Sequence, residues 1–179
     1  MAPSLRSRMK TVMFDRVPGL HRRGPAASRR VALTFDDGPD ELTPRYLDLL
    51  DDLGVPATFF LCGQSAERRP HAVREYRRRG HQLAGHGYDH TRFTKLSVRE
   101  LVDQVKRTDT AIGGTPGPAW VRPPHGSLDA GSIVALRATG YVIALWSVDS
   151  CDYSTRDPAK IAEHCAPARV SGGDVILLH

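Results

Sequence analysis

The chain has 179 residues, of which 40% are hydrophobic and 25% charged. This is the size and composition of one globular domain, and it excludes disorder throughout the chain. The net charge is +5, and much of the excess comes from arginines within residues 22–30 and 68–79. We interpret these runs as a basic tail and a solvated helix face, with an anionic partner as the alternative. Aromatic residues do not alternate with the arginines, so we predict no nucleic-acid partner.

Residues 1–30 are rich in Arg, Pro and Ala, and we predict a basic N-terminal extension with one packed turn around residues 12–14. This segment lacks the apolar core of a secretory signal, which favours a cytoplasmic location; a secreted protein is the alternative if the N-terminus was trimmed. No apolar run approaches the roughly 20 residues of a transmembrane helix. The three cysteines exclude a dense disulfide framework, and all three could be free thiols: Cys62, Cys151 and Cys165.

From residue 31 onward, strand and helix patterns alternate along the chain. The predicted strands cover residues 31–35, 57–61, 81–84, 119–121, 141–148 and 174–178. The predicted helices cover residues 43–53, 70–79, 98–113, 129–139 and 158–165. This alternation favours an α/β fold with parallel strands.

Two of the predicted helices begin with recognisable signals. Thr43 and Pro44 are typical of an N-cap and a first helical position, and Gly54 ends that helix. Ser97 and Glu100 have the spacing of a capping box, in which each side chain bonds the backbone of the other. We therefore expect helices to start at both places.

Polar residues follow the predicted strands where each strand ends. Parallel α/β folds carry their chemistry at the carboxyl ends of the strands. The polar residues at these ends are Asp36, Asp37, His86, His90, Arg122, Asp149, Asp152 and His179.

The first two loops contain the ingredients of a catalytic metal site. Of the adjacent acids Asp36 and Asp37, one can bind a metal while the other acts as a base. His86 and His90 are four residues apart, so a helix or compact turn places both imidazoles on one side. Together with Asp37 they form a two-histidine, one-carboxylate set with open positions. The alternatives are a plain Asp-Asp-Gly turn and a chance pair among eight histidines.

The later polar residues are less specific when each is taken alone. Arg122 opens a stiff Pro-rich loop, and such a loop is often only a turn. Asp152 resembles an ordinary turn residue, and His179 ends an apolar run as a strand terminus could.

Taken in order, these segments resemble the five motifs of the polysaccharide deacetylases, carbohydrate esterase family 4. The matching residues are Thr34-Phe35-Asp36-Asp37-Gly38-Pro39, His86-Gly87-Tyr88-Asp89-His90, Arg122-Pro123-Pro124-His125-Gly126, Asp149-Ser150-Cys151-Asp152-Tyr153 and Leu177-Leu178-His179. The resemblance spans residues 31–179, which it marks as the deacetylase domain. It implies a distorted (β/α) barrel with parallel strands and a metal-dependent hydrolase of carbon–nitrogen bonds other than peptide bonds. The expected substrate is an N-acetylated oligo- or polysaccharide such as chitin or peptidoglycan.

The same resemblance implies a role for each site residue. Asp37, His86 and His90 would hold one divalent metal, usually zinc, with cobalt or nickel as alternatives. Asp36 would be the general base and Arg122 its partner. His179 would be the general acid that protonates the leaving amine. Asp152 would tether His179. The backbone N–H of His125 would help to stabilise the oxyanion. Tyr153 and Leu177 would line the pocket for the acetyl group.

These roles lead to expectations for two pKa values. Asp36 must stay ionised to act as a base, and a neighbouring cation and Arg122 should lower its pKa. His179 must carry a proton to act as an acid, and Asp152 should raise its pKa. Opposite shifts on two groups are typical of a base and an acid.

Three positions depart from the family pattern. Gly87 stands where the family usually has Ser or Thr, so a hydroxyl that braces the metal loop is lost and we expect a more mobile loop. His125 replaces the usual Tyr, and Tyr153 replaces the usual Trp. The last two changes affect substrate choice more than reaction type.

The family continues past its last motif, so we expect the native protein to extend beyond His179. Two other functions stay open from the sequence. One is hydrolysis of another acyl group, such as an acetyl ester on xylan or a cyclic amide. The other is a non-catalytic sugar-binding module, which the presence of every motif residue disfavours.

Overall fold

The computed structural model describes residues 17–25, 27–114 and 116–179. The packed turn predicted around residues 12–14 lies outside this part of the chain. The described residues form one sheet of eight strands in the order β1-β6-β5-β4-β3-β2-β8-β7. The strands are β1 (Leu20–His21), β2 (Ala32–Asp37), β3 (Thr58–Leu61), β4 (Gln82–Gly85), β5 (Trp120–Val121), β6 (Val142–Ala144), β7 (Val148–Asp149) and β8 (Val175–Leu178).

Neighbouring strands of this sheet run parallel at every pairing. The connections carry six α-helices within the described residues. They are α1 (Thr43–Leu53), α2 (Gly63–Arg68), α3 (Pro70–Arg78), α4 (Val98–Ile112), α5 (Ala130–Ala138) and α6 (Pro158–His164). Parallel strands linked by helices confirm the predicted α/β class. Within the part of the chain that the structure describes, no helix combines the length and apolar character that crossing a bilayer requires.

The predicted long strand over residues 141–148 is in fact two short strands. β6 pairs with β1 and β5, whereas β7 pairs with β8 near the other edge of the sheet. Only residues 145–147 separate them, so the two edges of the sheet must lie close together. The sheet is therefore curled into a distorted barrel. The sequence did not indicate the break between β6 and β7, because residues 141–148 form an almost continuous apolar run.

The first strand lies inside the segment interpreted as an N-terminal extension. Leu20 and His21 pair with Ile143 and Ala144, and Arg23 forms an antiparallel bridge with Asp174. The structure thus corrects the prediction for the later part of residues 1–30, which completes the barrel wall. A two-residue strand is too short to produce a hydrophobic period, so no sequence pattern indicated it.

Two helix predictions also need correction. The N-cap of α1 is Leu42. The Thr43 hydroxyl instead accepts a hydrogen bond from the Asp40 amide at 2.9 Å, in the turn before the helix. The short helix α2 was not predicted, because its Gly-Gln-Ser-Ala-Glu-Arg sequence has no apolar period.

Two apolar clusters fill the space between the sheet and its helices. One packs α4 and α5 on β5 and β6 and includes Leu101, Leu136 and Ile143. The other packs α1 and α3 on β3 and β4 and includes Leu47 and Phe59. Because α4 contributes to both clusters, it fixes the helix layer behind the middle of the sheet.

Several arginines of the two basic runs have partners within the protein. Arg79 contacts the carboxylates of Asp48 and Asp51 at 2.7 and 2.8 Å. Arg23 contacts Asp174 at 2.6 Å, and Arg22 donates to the Trp146 carbonyl. These contacts agree with a solvated helix face and offer little support for a site that binds an anionic polymer.

The capping box at the start of α4 provides a test of the fold. The Ser97 hydroxyl accepts from the Glu100 amide, and the Glu100 carboxylate accepts from the Ser97 amide. We expect Ser97→Ala to lower the free energy of unfolding by about 1 kcal/mol, because one amide of the first turn loses its acceptor. Urea denaturation measures this, with Glu100→Gln as a milder comparison. Unchanged stability of Ser97→Ala would contradict the role of the cap.

Candidate active site

The site lies at the carboxyl ends of the central strands. Asp36 and Asp37 end β2, and His86 directly follows β4. Arg122 and His179 directly follow β5 and β8. Because all these strands are parallel, the five side chains meet at the same mouth of the barrel, as the sequence predicted.

Asp37, His86 and His90 bring their ligand atoms within 4.8 Å of one another. The Asp37 Oδ1 atom lies 3.4 Å from Nε2 of His86 and 3.2 Å from Nε2 of His90. Ligand atoms of a tetrahedral zinc ion, with bonds of about 2.0 Å, lie about 3.3 Å apart. The donor types and their spacing therefore fit one zinc-sized cation.

The orientation of His86 is set by the backbone of Arg122. Nδ1 of His86 lies 2.9 Å from the Arg122 carbonyl, which can only accept a hydrogen bond. The proton must therefore be on Nδ1, and the lone pair of Nε2 faces Asp37. Burial lowers the pKa of His86 to about 3, so the imidazole is neutral, as a metal ligand must be.

The backbone of the site is unusual at three residues. Asp37, His90 and His125 have φ values of 77°, 63° and 57°. This left-handed region costs most residues free energy, and Asp and His tolerate it better than bulky residues do. Such conformations cluster at functional sites, where the surrounding structure holds them.

Asp36 and Arg122 form an ion pair inside the barrel. Nη1 of Arg122 donates to Oδ1 of Asp36 at 2.6 Å and to the Thr34 hydroxyl at 2.9 Å. Nη2 donates to the Leu145 carbonyl at 3.2 Å. The two charged residues are 6% and 0% exposed. Arg122 thus holds one oxygen of Asp36 and leaves the other toward His86, 3.6 Å away.

Arg122 by itself does not lower the pKa of Asp36, which we expected to be lowered by Arg122 and a cation together. Burial raises the pKa of this carboxyl, and the charge and hydrogen bond of Arg122 only partly oppose the effect. The sequence indicated the arginine but not the depth of the carboxyl in the barrel. Desolvation disfavours the ionised form of a carboxyl, so burial and the arginine act in opposite directions.

His179 is paired with Asp152 as expected. Nδ1 of His179 lies 2.7 Å from Oδ1 of Asp152, and its backbone amide donates to Oδ2 at 2.7 Å. Burial lowers the pKa of His179, whereas the hydrogen bond and charge of Asp152 raise it, and the net shift is upward. Asp36 and Asp37 raise it further. The pair therefore favours the protonated imidazole.

The remaining predicted residues surround this centre. The His125 ring lies 4.5 Å from the His90 ring, centroid to centroid. Tyr153 is 65% exposed and places its ring edge-on to His179. Leu177 is buried in β8, in register with Thr34 and Asp149. Their roles in substrate binding stay predictions.

An open cleft of about 280 Å³ adjoins the centre. Asp36, Asp37 and His179 line it, so the predicted base, one metal ligand and the predicted acid face the same space. Tyr46 and Arg69 also line it. The cleft gives a substrate access to the groups that would act on it.

Two residues near the centre were given no role from the sequence. Thr34 was quoted within the first motif, but its hydroxyl joins Arg122 to β8. Gln104 lies on α4 and accepts hydrogen bonds from the loop between the two histidines. The hydrophobic pattern of α4 could show which face of the helix carries Gln104. It could not show which loop lies against that face.

Comparison with known proteins agrees with this geometry. The family model described as polysaccharide deacetylase matches residues 23–144. The chain belongs to the polysaccharide deacetylase family. The matched region includes the proposed metal ligands and the Asp36–Arg122 pair, and it begins within the segment interpreted as an extension.

Relatives of known structure share the barrel. A peptidoglycan-N-acetylglucosamine deacetylase of Bacillus cereus is 38% identical over 159 residues, which cover 87% of this chain and 58% of that protein. A crystal structure of a peptidoglycan N-acetylglucosamine deacetylase has a TM-score of 0.84 at 33% identity and covers 90% of this chain and 76% of that one. This chain thus spans little more than half of the first relative. The likeness confirms the predicted distorted barrel.

The family also includes a protein described as a pseudoenzyme. This family 4 structure from Bacillus anthracis has a TM-score of 0.82 at 26% identity and covers 92% of this chain and 59% of that one. Membership in the family therefore does not by itself establish activity, and the site residues must carry that argument.

The Thr34 hydroxyl provides a test of how Arg122 is held. It donates to the Ile176 carbonyl at 2.6 Å and accepts from Arg122. We expect Thr34→Val to lower the free energy of unfolding by about 1–3 kcal/mol, because two buried polar groups lose a partner while the volume hardly changes. Urea denaturation measures the loss, and Thr34→Ser should retain most of the stability. Equal stability of Thr34→Val and the unmodified protein would contradict this role.

Proposed function

We propose that this protein is a metal-dependent deacetylase. It removes N-acetyl groups from N-acetylglucosamine units of an oligo- or polysaccharide and releases acetate. One observation carries the proposal: a three-ligand set, a buried carboxylate and a histidine paired with an acid lie at one mouth of the barrel. These groups correspond to the metal, base and acid that amide hydrolysis requires.

The ligand set Asp37, His86 and His90 would hold one divalent cation. Imidazole and carboxylate donors with open positions suit zinc, and cobalt and nickel accept the same donors. A cation bound there supplies Lewis-acid activation of the amide carbonyl and of the attacking water. His86 is neutral, and its Nδ1 atom is bonded to the Arg122 carbonyl, so the lone pair of Nε2 is free to bind the cation.

Asp36 takes the proton of the attacking water in this proposal. Its carboxylate is held on one side by Arg122, which leaves its second oxygen for the water. Burial raises the pKa of Asp36, which makes the carboxylate a stronger base once it is ionised. Arg122 and the cation favour the ionised form.

His179 donates a proton to the leaving amine. Asp152 fixes its Nδ1, so Nε2 is the nitrogen left free for the substrate. The raised pKa favours the protonated imidazole, the form that can act as an acid. The His125 amide would stabilise the oxyanion, and Tyr153 and Leu177 would line the acetyl pocket.

The substrate class rests on the two relatives named above as peptidoglycan N-acetylglucosamine deacetylases. A different acyl substrate, such as acetylated xylan, is compatible with the same metal and base. The non-catalytic alternative is disfavoured because every proposed ligand and proton-transfer group is in contact with its partner.

The decisive measurement is acetate release from N-acetylglucosamine oligomers by the zinc-loaded protein. We expect activity that a chelator abolishes and added zinc restores. Asp36→Asn should lower kcat by about 10²-fold or more, because the base is removed. Asp40→Asn is the matched control, since Asp40 lines the same cleft and has no proposed role. Circular dichroism checks that both variants fold.

The same assay separates the alternatives. Acetate released from acetylated xylan but not from the amino-sugar oligomers would replace the proposed substrate with an ester. A zinc-bound protein that releases acetate from neither would support the sugar-binding module instead. Full activity of Asp36→Asn would overturn the proposed base.

The His179–Asp152 pair predicts a pH dependence. A general acid must be protonated, so activity falls as pH rises through the pKa of His179. Removing the negative charge in Asp152→Asn lowers that pKa, and we expect the alkaline limb of the kcat/KM profile to move to lower pH. Asp149→Asn, at the end of β7 and three positions before Asp152, should leave the limb in place. An alkaline limb that does not move in Asp152→Asn would contradict the assignment.

A further inference from the structure

We infer that Gln104 is a positioning residue for the metal-binding loop, and this inference rests on the proposed function. The loop runs from His86 to His90 and contains both histidine ligands. Gln104 lies outside all five motifs, on α4. Its side chain takes over the bracing that the loop cannot obtain from residue 87.

Gly87 cannot carry a bracing side chain in this structure. Its φ is +72°, and a Cβ atom there would lie 3.2 Å from the Phe93 ring and 3.3 Å from Pro124. A serine or threonine would therefore be strained and crowded. The loop needs a hydrogen-bond acceptor from elsewhere in the chain.

Gln104 supplies that acceptor. Its Oε1 atom accepts from the backbone amide of Tyr88 at 2.6 Å and from that of Asp89 at 3.3 Å. These amides belong to consecutive residues between the two histidine ligands. One side-chain atom thus restrains the middle of the loop, and α4 is fixed by both apolar clusters behind it.

The helix α2 binds the carbonyl groups of the same loop. The amides of Gly63 and Gln64 donate to the carbonyls of Gly87 and Tyr88 at 3.0 and 2.9 Å. The Tyr88 hydroxyl also donates to Glu67 at 2.7 Å. The carbonyl groups of the loop are therefore bound by α2, and its amide groups are bound by Gln104.

Arg107 completes the contacts on the α4 side. Its guanidinium lies 3.6 Å from the centre of the Tyr88 ring, and it also pairs with Glu67. These side chains are partly exposed and can adjust. Among these α4 side chains, Gln104 is the one that bonds the loop backbone directly.

The position of His90 depends on these hydrogen bonds to the loop backbone. His90 comes directly after Asp89 and has a φ of 63°, so the peptide planes before it decide where its ring points. Residues that orient metal ligands without touching the metal typically change metal affinity by about 10–100-fold when they are replaced. Loss of the Gln104 acceptor should therefore weaken zinc binding more than it weakens the fold.

The test measures zinc affinity of the full chain by competition with a chromophoric chelator, beside the Tm of the metal-free protein. Gln104→Met has nearly the same size but no acceptor at that place, and we expect it to bind zinc about tenfold more weakly. Gln104→Glu keeps an acceptor and should bind within about threefold of the unmodified protein. Lys106→Met is the control, since Lys106 is exposed on the same helix.

If Gln104→Met does not fold, Gln104→Asn replaces it in the test, because the shorter side chain moves the amide away from the loop by one methylene. We expect the same loss of zinc affinity. A metal-free Tm close to that of Lys106→Met, with weaker zinc binding, supports positioning. Unchanged zinc affinity of the Gln104 variants, or equal losses in Lys106→Met, would overturn the inference and leave the proposed function intact. If the unmodified protein binds no zinc, both fail together.

Discussion

The site depends on one buried ion pair. Arg122 and Asp36 lie inside the barrel, where taking each charge out of water costs several kcal/mol unless it is paired and hydrogen-bonded. The two terminal nitrogens of the guanidinium donate to Asp36, to Thr34 and to a backbone carbonyl after β6. The Arg122 carbonyl meanwhile fixes the ring of His86. A single residue thus sets the position of both the proposed base and a proposed metal ligand.

The proposed base and acid differ in environment rather than in the direction of their pKa shifts. Burial raises the pKa of Asp36 against the opposing charge of Arg122. His179 has a raised pKa because the bond and charge of Asp152, with the charges of Asp36 and Asp37, together overcome burial. The expected pattern of opposite shifts counted a bound cation beside Asp36 together with Arg122, and it left out desolvation. The two groups are still distinguished, one by a deep pair with a cation and the other by a partly exposed pair with an anion.

The metal loop shows how a local departure is compensated by contacts elsewhere. Gly87 cannot provide a bracing hydroxyl, but α2 binds the carbonyls of the loop and Gln104 binds its amides. The left-handed conformation at His90 is maintained by these surroundings. The expectation of a looser loop considered residue 87 alone, and it did not include these contacts.

The sequence by itself determined the alternation of strands and helices, the capping box at Ser97 and the placement of motif residues at strand ends. These features depend on local periodicity and on short spacings, which a single chain displays directly. Only the tertiary structure decided that the chain passes from one edge of the sheet to the other after β6 and that Leu20–His21 forms a strand. It also decided that Asp36 is buried and that Gln104 contacts the metal-binding loop. Closing the barrel brings together residues as distant in sequence as Thr34 and Arg122, which are 88 positions apart. No local pattern encodes such a meeting, because it arises only when the whole sheet curls around one interior.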